Sequence, residues 1–307
     1  MSKILVTGGA GFIGSTLVDQ LIIQGHQVVV VDDLSTGKKE YLNPVAKFYQ
    51  ADIRTPEIAR IFSVEKPEIV YHLAAQIAVR VSITDPVHDS QINIIGGLQV
   101  LEACRFNQVK KIIFSSTGGA IYGETAVLPT PETFLPQPLS PYGLNKLAFE
   151  KYLHFYQQTY GLDYTILRFA NVYGPRQFKG GEAGVIALFI EQAVTGQVSR
   201  QFGDGKQTRD YVYVADVVAA LLKAKEITYA GAINIGSAEE TNLLTLRQEI
   251  AASLGQDFSV REEAAIVGEI RRSCLSRAKA KEILNWEPRI SLAEGIKKTI
   301  DWTKTKK

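Results

Sequence analysis

Cysteine is scarce in this chain: of 307 residues only Cys104 and Cys274 are cysteine, far apart and at no metal-ligand spacing. A disulfide framework is therefore not what holds the fold, and two free thiols in a reducing compartment are expected. An excess of charge of either sign is also missing. Thirty-four basic residues against 32 acidic ones leave a net +2, too little to point to nucleic acid or a membrane surface as a partner. No run approaches the roughly 20 apolar residues that cross a bilayer. The opening "MSKILVTGG" reaches glycine too soon for a secretory leader. His26, His72, His88 and His154 show no metal spacing, and "HLAA" puts His72 in a buried strand. The expectation is a cytoplasmic protein that binds no metal.

What is present is alternation. "KILVTG" (3–8), "QVVVVDD" (27–33), "EIVYHLAA" (68–75) and "KKIIFSS" (110–116) are continuous apolar runs rich in β-branched residues. Strands buried on both faces of a parallel sheet read this way. Amphipathic stretches at 12–24, 56–63, 93–107 and 142–160 predict helices between and after them. The order predicts an α/β fold with a doubly wound parallel sheet. "YTILRF" (164–169) and "GAINIG" (231–236) add strands, the second returning to the sheet from late in the chain. Beyond residue 170 glycine-rich loops separate shorter helices, and a last helix is expected over 291–304. Residues 1–170 are thus expected to form the main domain and 171–307 mostly a smaller α/β lobe packed against it.

"TGGAGFIGS" (7–15) joins the first strand to the first helix, with Gly8, Gly11 and Gly14 recurring every three residues. Glycine permits the tight turn and close approach to a pyrophosphate, and the helix N-terminus offers unpaired N–H groups. Asp32 ends the second strand, 18 residues beyond Gly14. Its carboxylate can accept both ribose hydroxyls and would repel a 2′-phosphate. With Asp33 beside it and no adjacent arginine, NAD is favoured over NADP in a Rossmann-type domain. In "ADIR" (51–54), after a third strand, Asp52 is a candidate for the adenine amino group and Ile53 for its ring, against the plainer reading of a solvent turn.

"SPYGLNK" (140–146) sets Tyr142 and Lys146 four apart on one helix face. A free phenol titrates near 10, and lowering that by about three units takes about 4 kcal/mol. A close ammonium and the positive nicotinamide of oxidised NAD would act in that direction.

The runs "TGGAGFIG", "HLAA", "SSTGGAIYG" and "SPYGLNK", in this order and spacing, resemble the extended short-chain dehydrogenases/reductases, and among them the UDP-glucose 4-epimerase-like proteins. The resemblance implies tightly held NAD, Tyr142 as base, Lys146 on the nicotinamide ribose, and Thr117, with Ser116 in reserve, hydrogen-bonded to the reacting hydroxyl. It also extends the cofactor contacts to Phe12, Ile13, Leu73, Ala74 and Ala75, and makes Asn93 a structural asparagine. Dehydratases and decarboxylases of this kind carry an acidic residue just before the Tyr-Gly. Here Gly118, Gly119, Ala120 and Ile121 precede Tyr122, and none of them can carry a proton. What survives is epimerisation at C4 of a UDP-hexose, with Gly118 and Gly119 leaving room for the sugar or easing a sharp strand exit.

Towards the other end, the resemblance sets Asn171 of "RFANVYGPRQ" and Arg209 of "GDGKQTRDYVYVAD" against the substrate diphosphate. Asp210, Tyr211 and Asp216 are read as structural. In "GEIRRS" (268–273) relatives carry Arg-Pro where this chain has Ile266 and Val267, so Arg271 or Arg272 is expected to take the phosphate contact. Ser273, small where some relatives are bulky, would admit an N-acetyl group. Two other readings stay open from sequence: an epimerase or oxidoreductase acting on another nucleotide sugar, and an NAD-binding sensor without chemistry. A homodimer through helices 93–107 and 142–160 is a further implication of the resemblance.

Overall fold

The β-branched runs become parallel strands because both of their faces are covered. A computed structural model describes residues 1–177, 184–265 and 270–306. The chain opens β1 (Lys3–Thr7), α1 (Phe12–Ile23), β2 (Gln27–Asp32), β3 (Lys47–Gln50), α2 (Glu57–Glu65) and β4 (Ile69–His72). Two short helices, α3 (Val79–Thr84) and α4 (Pro86–Ser90), lead through a π-helical turn, Gln91–Gly96, into α5 (Gly97–Phe106). Then come β5 (Lys111–Thr117), α6 (Gly118–Ile121), α7 (Pro141–Tyr160) and β6 (Asp163–Phe169). The remainder is β7 (Asn171–Tyr173), α8 (Val185–Thr195), β8 (Ser199–Phe202), β9 (Thr208–Arg209), β10 (Tyr211–Tyr213) and α9 (Val214–Ala224). It closes with β11 (Ala232–Ile235), β12 (Thr241–Asn242), α10 (Leu243–Leu254), β13 (Val260–Glu263), α11 (Ala278–Leu284) and α12 (Leu292–Thr305).

Seven strands form one parallel sheet in the order β11-β6-β5-β4-β1-β2-β3. The chain therefore winds outward one way from β1 to β3 and the other way from β4 on. That reversal opens a crevice above the C-terminal ends of β1 and β4. Val28 to Val31 of β2 are all buried, alternately against α1 and α9 on one face and against α2, α5 and α7 on the other. Leu17, Leu21, Val217 and Leu221 fill the first layer; Ile58, Phe62, Leu101 and Phe149 fill the second. Each such side chain contributes about 1.5–3 kcal/mol of burial.

Helix α7 starts and stops where local chemistry dictates. Ser140 caps it by accepting from the Gly143 N–H at 3.2 Å, Pro141 occupies the first turn, and Gly161 ends it at φ 73°. The helix expected over 93–107 enters through the π-helical turn, within which Asn93 exchanges hydrogen bonds with the main chain of Gln76 at 2.9 and 3.1 Å. β11, formed by the late segment, pairs with β6 at the edge of the sheet. Among the described residues three further two-stranded pairs form, β7 with β10, β8 with β13 and β9 with β12, and α8, α10 and α12 pack on them. No helix among the described residues is long and apolar enough to cross a membrane.

Candidate active site

The loop between β1 and α1 lies hard against the chain leaving β4. Gly8 takes φ 71°, and a Cβ there would stand 2.7 Å from Ala74 N and 2.9 Å from the Leu73 carbonyl carbon. A Cβ on Gly14 would strike the Gly8 carbonyl oxygen. Gly11 caps α1 with no side chain, and the first turn holds no acidic residue. A 12-residue helix thus ends uncapped at the crevice, which fits a bound pyrophosphate. Phe12, Ile13 and Leu73 pack against the core from the same rim, and Ala74 does so from the other face.

Asp32 is 7% exposed, and burial raises its pKa. Its Oδ2 accepts from Ala10 N at 3.0 Å and its Oδ1 from Leu34 N at 2.8 Å, tying the glycine loop to the end of β2. The second lone pair of each oxygen is what a ribose would use. Asp33 is exposed and holds Ser35 instead. Asp52 is bound by the Arg54 guanidinium at 2.5–3.0 Å, which keeps its carboxyl below the usual range. Ile53 is buried beneath Gly96, and Ala75 is partly exposed on the rim.

Strand alternation turns Ser116 to the face opposite Ser115 and Thr117. Ser116 points into the protein and donates to Glu150 at 2.7 Å. Ser115 donates to the His72 carbonyl at 3.2 Å. Thr117 caps α6 by accepting from Ala120 N at 3.2 Å and stands beside Tyr142, where it acts to lower the phenol's pKa. One turn along α7, Lys146 is 3% exposed, donates to the Ser115 carbonyl at 3.0 Å and lies 4.6 Å over the Phe114 ring. Burial draws its pKa down to about 8 against the pull of Asp89 and Glu150. Contrary to the expectation from charge proximity, the chain's own groups hold the Tyr142 phenol above its ordinary value. Burial is the largest cause and the Asp89 carboxylate the next, with Thr117 acting the other way.

Behind this wall stands a buried network that the sequence reading passed over. Arg168 of β6 binds both Glu150 oxygens at 3.0 and 2.6 Å and the Tyr122 hydroxyl at 2.8 Å; Tyr122 in turn donates to Asn234 at 2.8 Å. The signal was there: an arginine inside the apolar run "YTILRF" and a glutamate one turn after Lys146. Asp89 and Gln76 were missed as well, and no local pattern marks them. Asp210 and Asp216 are buried acceptors, of the Ser237, Ala238 and Leu275 amides and of the Arg289 and Ile290 amides respectively, as a structural role requires.

Gly118 is buried under Leu275, whereas the nearest atom to a Cβ on Gly119 would be Asn171 Oδ1 at 3.6 Å. Asn171 is exposed at that opening. Arg209 donates to its neighbour's carbonyl, Thr208 O, at 2.8 Å. The segment after residue 270 runs beside β9 and over the 118–130 stretch, through bridges Thr208–Arg272 and Thr130–Leu275. Arg271 grips Asp204 with two bonds of 2.8 Å, and its N–H reaches Glu124 at 2.6 Å; Arg272 pairs with Glu240. Ser273 is partly buried and donates from its N–H to Thr208 O at 3.3 Å. Ile266 and Val267 lie outside the described residues.

Comparison with solved structures finds close relatives over essentially the whole chain. A UDP-glucose 4-epimerase from Thermotoga maritima, with UDP-glucose, is 50% identical, with a TM-score of 0.97 and 99% of each chain covered. A UDP-glucose 4-epimerase from Thermus thermophilus, complexed with NAD, is 42% identical, with a TM-score of 0.94 over 98% of this chain and 99% of that one. A UDP-N-acetylglucosamine 4-epimerase from Methanobrevibacter ruminantium, in complex with UDP-N-acetylmuramic acid, is 33% identical, with a TM-score of 0.94 over 100% of this chain and 99% of that one. Residues 4–236 match the NAD dependent epimerase/dehydratase family, and the chain belongs to it.

Proposed function

We propose that this chain is an NAD-dependent UDP-sugar 4-epimerase acting on UDP-glucose and UDP-galactose, with room for their N-acetylated counterparts. The observation that carries the reading is local. Tyr142, Thr117 and Lys146 stand together at the end of β5, and the four residues before Tyr122 offer no second acid or base. Bound NAD supplies the acceptor that takes hydride from C4 and returns it to the opposite face of the 4-keto sugar. Every other task falls to side chains of this protein. Tyr142 takes the C4 hydroxyl proton and gives it back, and Thr117 shares the hydrogen bond that orients that hydroxyl. Lys146, anchored on the Ser115 carbonyl, holds the cofactor ribose and lends positive charge to the phenolate. Gly8, Gly11, Gly14 and Asp32 hold the rest of the dinucleotide.

Asn171 and Arg209 bind the substrate diphosphate, joined by Arg271 once it exchanges Asp204 for phosphate, a planar donor suiting either partner. The 4-keto sugar turns in the space beside Gly119, and Ser273 leaves the wall small enough for an acetamido group. The UDP-N-acetylglucosamine 4-epimerase among the relatives supports that breadth. Exposed Phe106 on α5 and exposed Leu144, Tyr152 and Phe155 on α7 support a second copy of this chain as the partner covering both helices; sedimentation would show a monomer if that is wrong.

The test is proton NMR of the purified protein, without added NAD, on each of the four UDP-sugars. The C4 epimer should appear and should nearly vanish in Tyr142→Phe. No epimer, even with NAD supplied, refutes the proposal for these sugars.

A further inference from the structure

Asp89 on α4 has 0% of its surface exposed. Its Oδ1 accepts from Gln76 Nε2 at 2.6 Å and its Oδ2 from Asn145 Nδ2 at 2.7 Å. Both oxygens thus accept amide protons. Neither of these donors carries a charge. An ionised group buried on amides alone costs several kcal/mol unless a cation balances it nearby. Asn145 is the residue next to Lys146 and lies three beyond Tyr142, on the same side of α7. It also donates to Ser90 at 3.0 Å. Gln76 is in turn fixed by the two hydrogen bonds that its main chain shares with Asn93. The chain leaving β4, the entrance to α5 and the first turns of α7 therefore meet at one buried carboxylate behind the reacting groups.

We propose that Asp89 is a positioning residue: held by Gln76 and Asn145, its buried charge sets the orientation and the proton balance of the Tyr142–Lys146 pair. The proposal rests on the reading of that pair given above. Other charged groups around the pair are already committed. Glu150 of α7, which also acts on Lys146, is paired with Arg168 of β6, and His72 of β4 is kept neutral, its pKa drawn down to about 3 by burial and then by Lys146. Arg80 of α3 lies over the Phe202 ring, and Asp85 is exposed at the outer end of α4, while partly exposed His88 acts on Asp52. Asp89 acts on both members in one direction. It helps Lys146 keep its proton against burial, and it keeps the phenolate from being so stable that it cannot return the proton it has taken.

The experiment compares the NAD-containing wild type with Asp89→Asn and Asn145→Leu. In Asp89→Asn both limbs of the pH profile of epimerisation should move to lower pH by about one unit, a tenfold change in each ionisation constant. The Tyr142 phenolate, followed by ultraviolet difference against the matching Tyr142→Phe protein, should move equally. Asn145→Leu removes one of the two donors that hold the carboxylate in place and should give a smaller shift the same way. A merely structural role predicts lower rates with stationary limbs, and stationary midpoints in both variants overturn the proposal. If the wild type epimerises nothing, the proposed function fails while the phenolate titration still decides the role of Asp89.

Discussion

Alanine at Gly118 and alanine at Gly119 should part company, though the two positions are adjacent and differ by one methyl from the native chain. At Gly118 the new Cβ would lie 2.8 Å from Leu275 Cδ2, 3.1 Å from its Cγ and nearer still to Cδ1, and Leu275 is 1% exposed. Nothing there can yield without disturbing Ile121 and Tyr122, which pack on the same leucine. Such overpacking costs about 1–3 kcal/mol, a fall of several degrees in Tm for a chain of this size. At Gly119 the first atom met is Asn171 Oδ1 at 3.6 Å, ordinary contact. Stability should hold or rise by up to about 1 kcal/mol, since alanine is the better helix residue in α6. Activity should fall all the same, because the methyl enters the space assigned to the turning sugar. A loss of tenfold or more in kcat/KM corresponds to about 1.4 kcal/mol. Thermal melting and coupled kinetics on both variants decide it. Gly119→Ala melting as low as Gly118→Ala would refute the packing argument. Gly119→Ala at full rate would show that the glycine is not kept clear for substrate.

Thr117→Ala should lower kcat by about 10- to 100-fold, the worth of one hydrogen bond to a charging group. Ser116→Ala, which loses only a donor to Glu150, should show itself in melting and leave turnover within a few-fold; equal kinetic losses would mean that the wrong hydroxyl has been chosen. Glu150→Gln strands the Arg168 guanidinium, 6% exposed, and should cost about 3–5 kcal/mol in denaturant unfolding. Glu65, at the far end of the sheet, gives a pH signature. Burial pushes its carboxyl up, but hydrogen bonds from Lys47, Tyr49 and Lys3 outweigh that and hold it at about 2 against an ordinary 4.5. A folded-state value below the unfolded one stabilises above the unfolded pKa and is lost as pH falls through the folded one. Wild type should therefore exceed Glu65→Gln by up to about 3 kcal/mol at neutral pH. That gap should close between pH 4.5 and 2, and a constant gap would remove the ion network as its cause.

Much of this was legible without coordinates because it is written in short-range pattern. Four valines in a row have no face to spare for water and so become β2; Ser-Pro before Tyr142 and Gly161 after Tyr160 mark the ends of α7; glycines between a strand and a helix mark the nucleotide turn. The YxxxK face and the absence of any acid between Thr117 and Tyr122 are likewise local. Tertiary structure showed why Ser116, the reserve candidate, is not free for substrate: its face of β5 turns inward and its hydroxyl donates to Glu150, while Thr117 stands beside Tyr142. It alone showed that β11 pairs with β6 at the sheet edge, closed Glu150 on Arg168, and placed Asp89 against Asn145, 56 positions away. Apolar periodicity is a property of neighbours in sequence. The balance of a buried charge depends on its neighbours in space, and only the folded chain determines which those are.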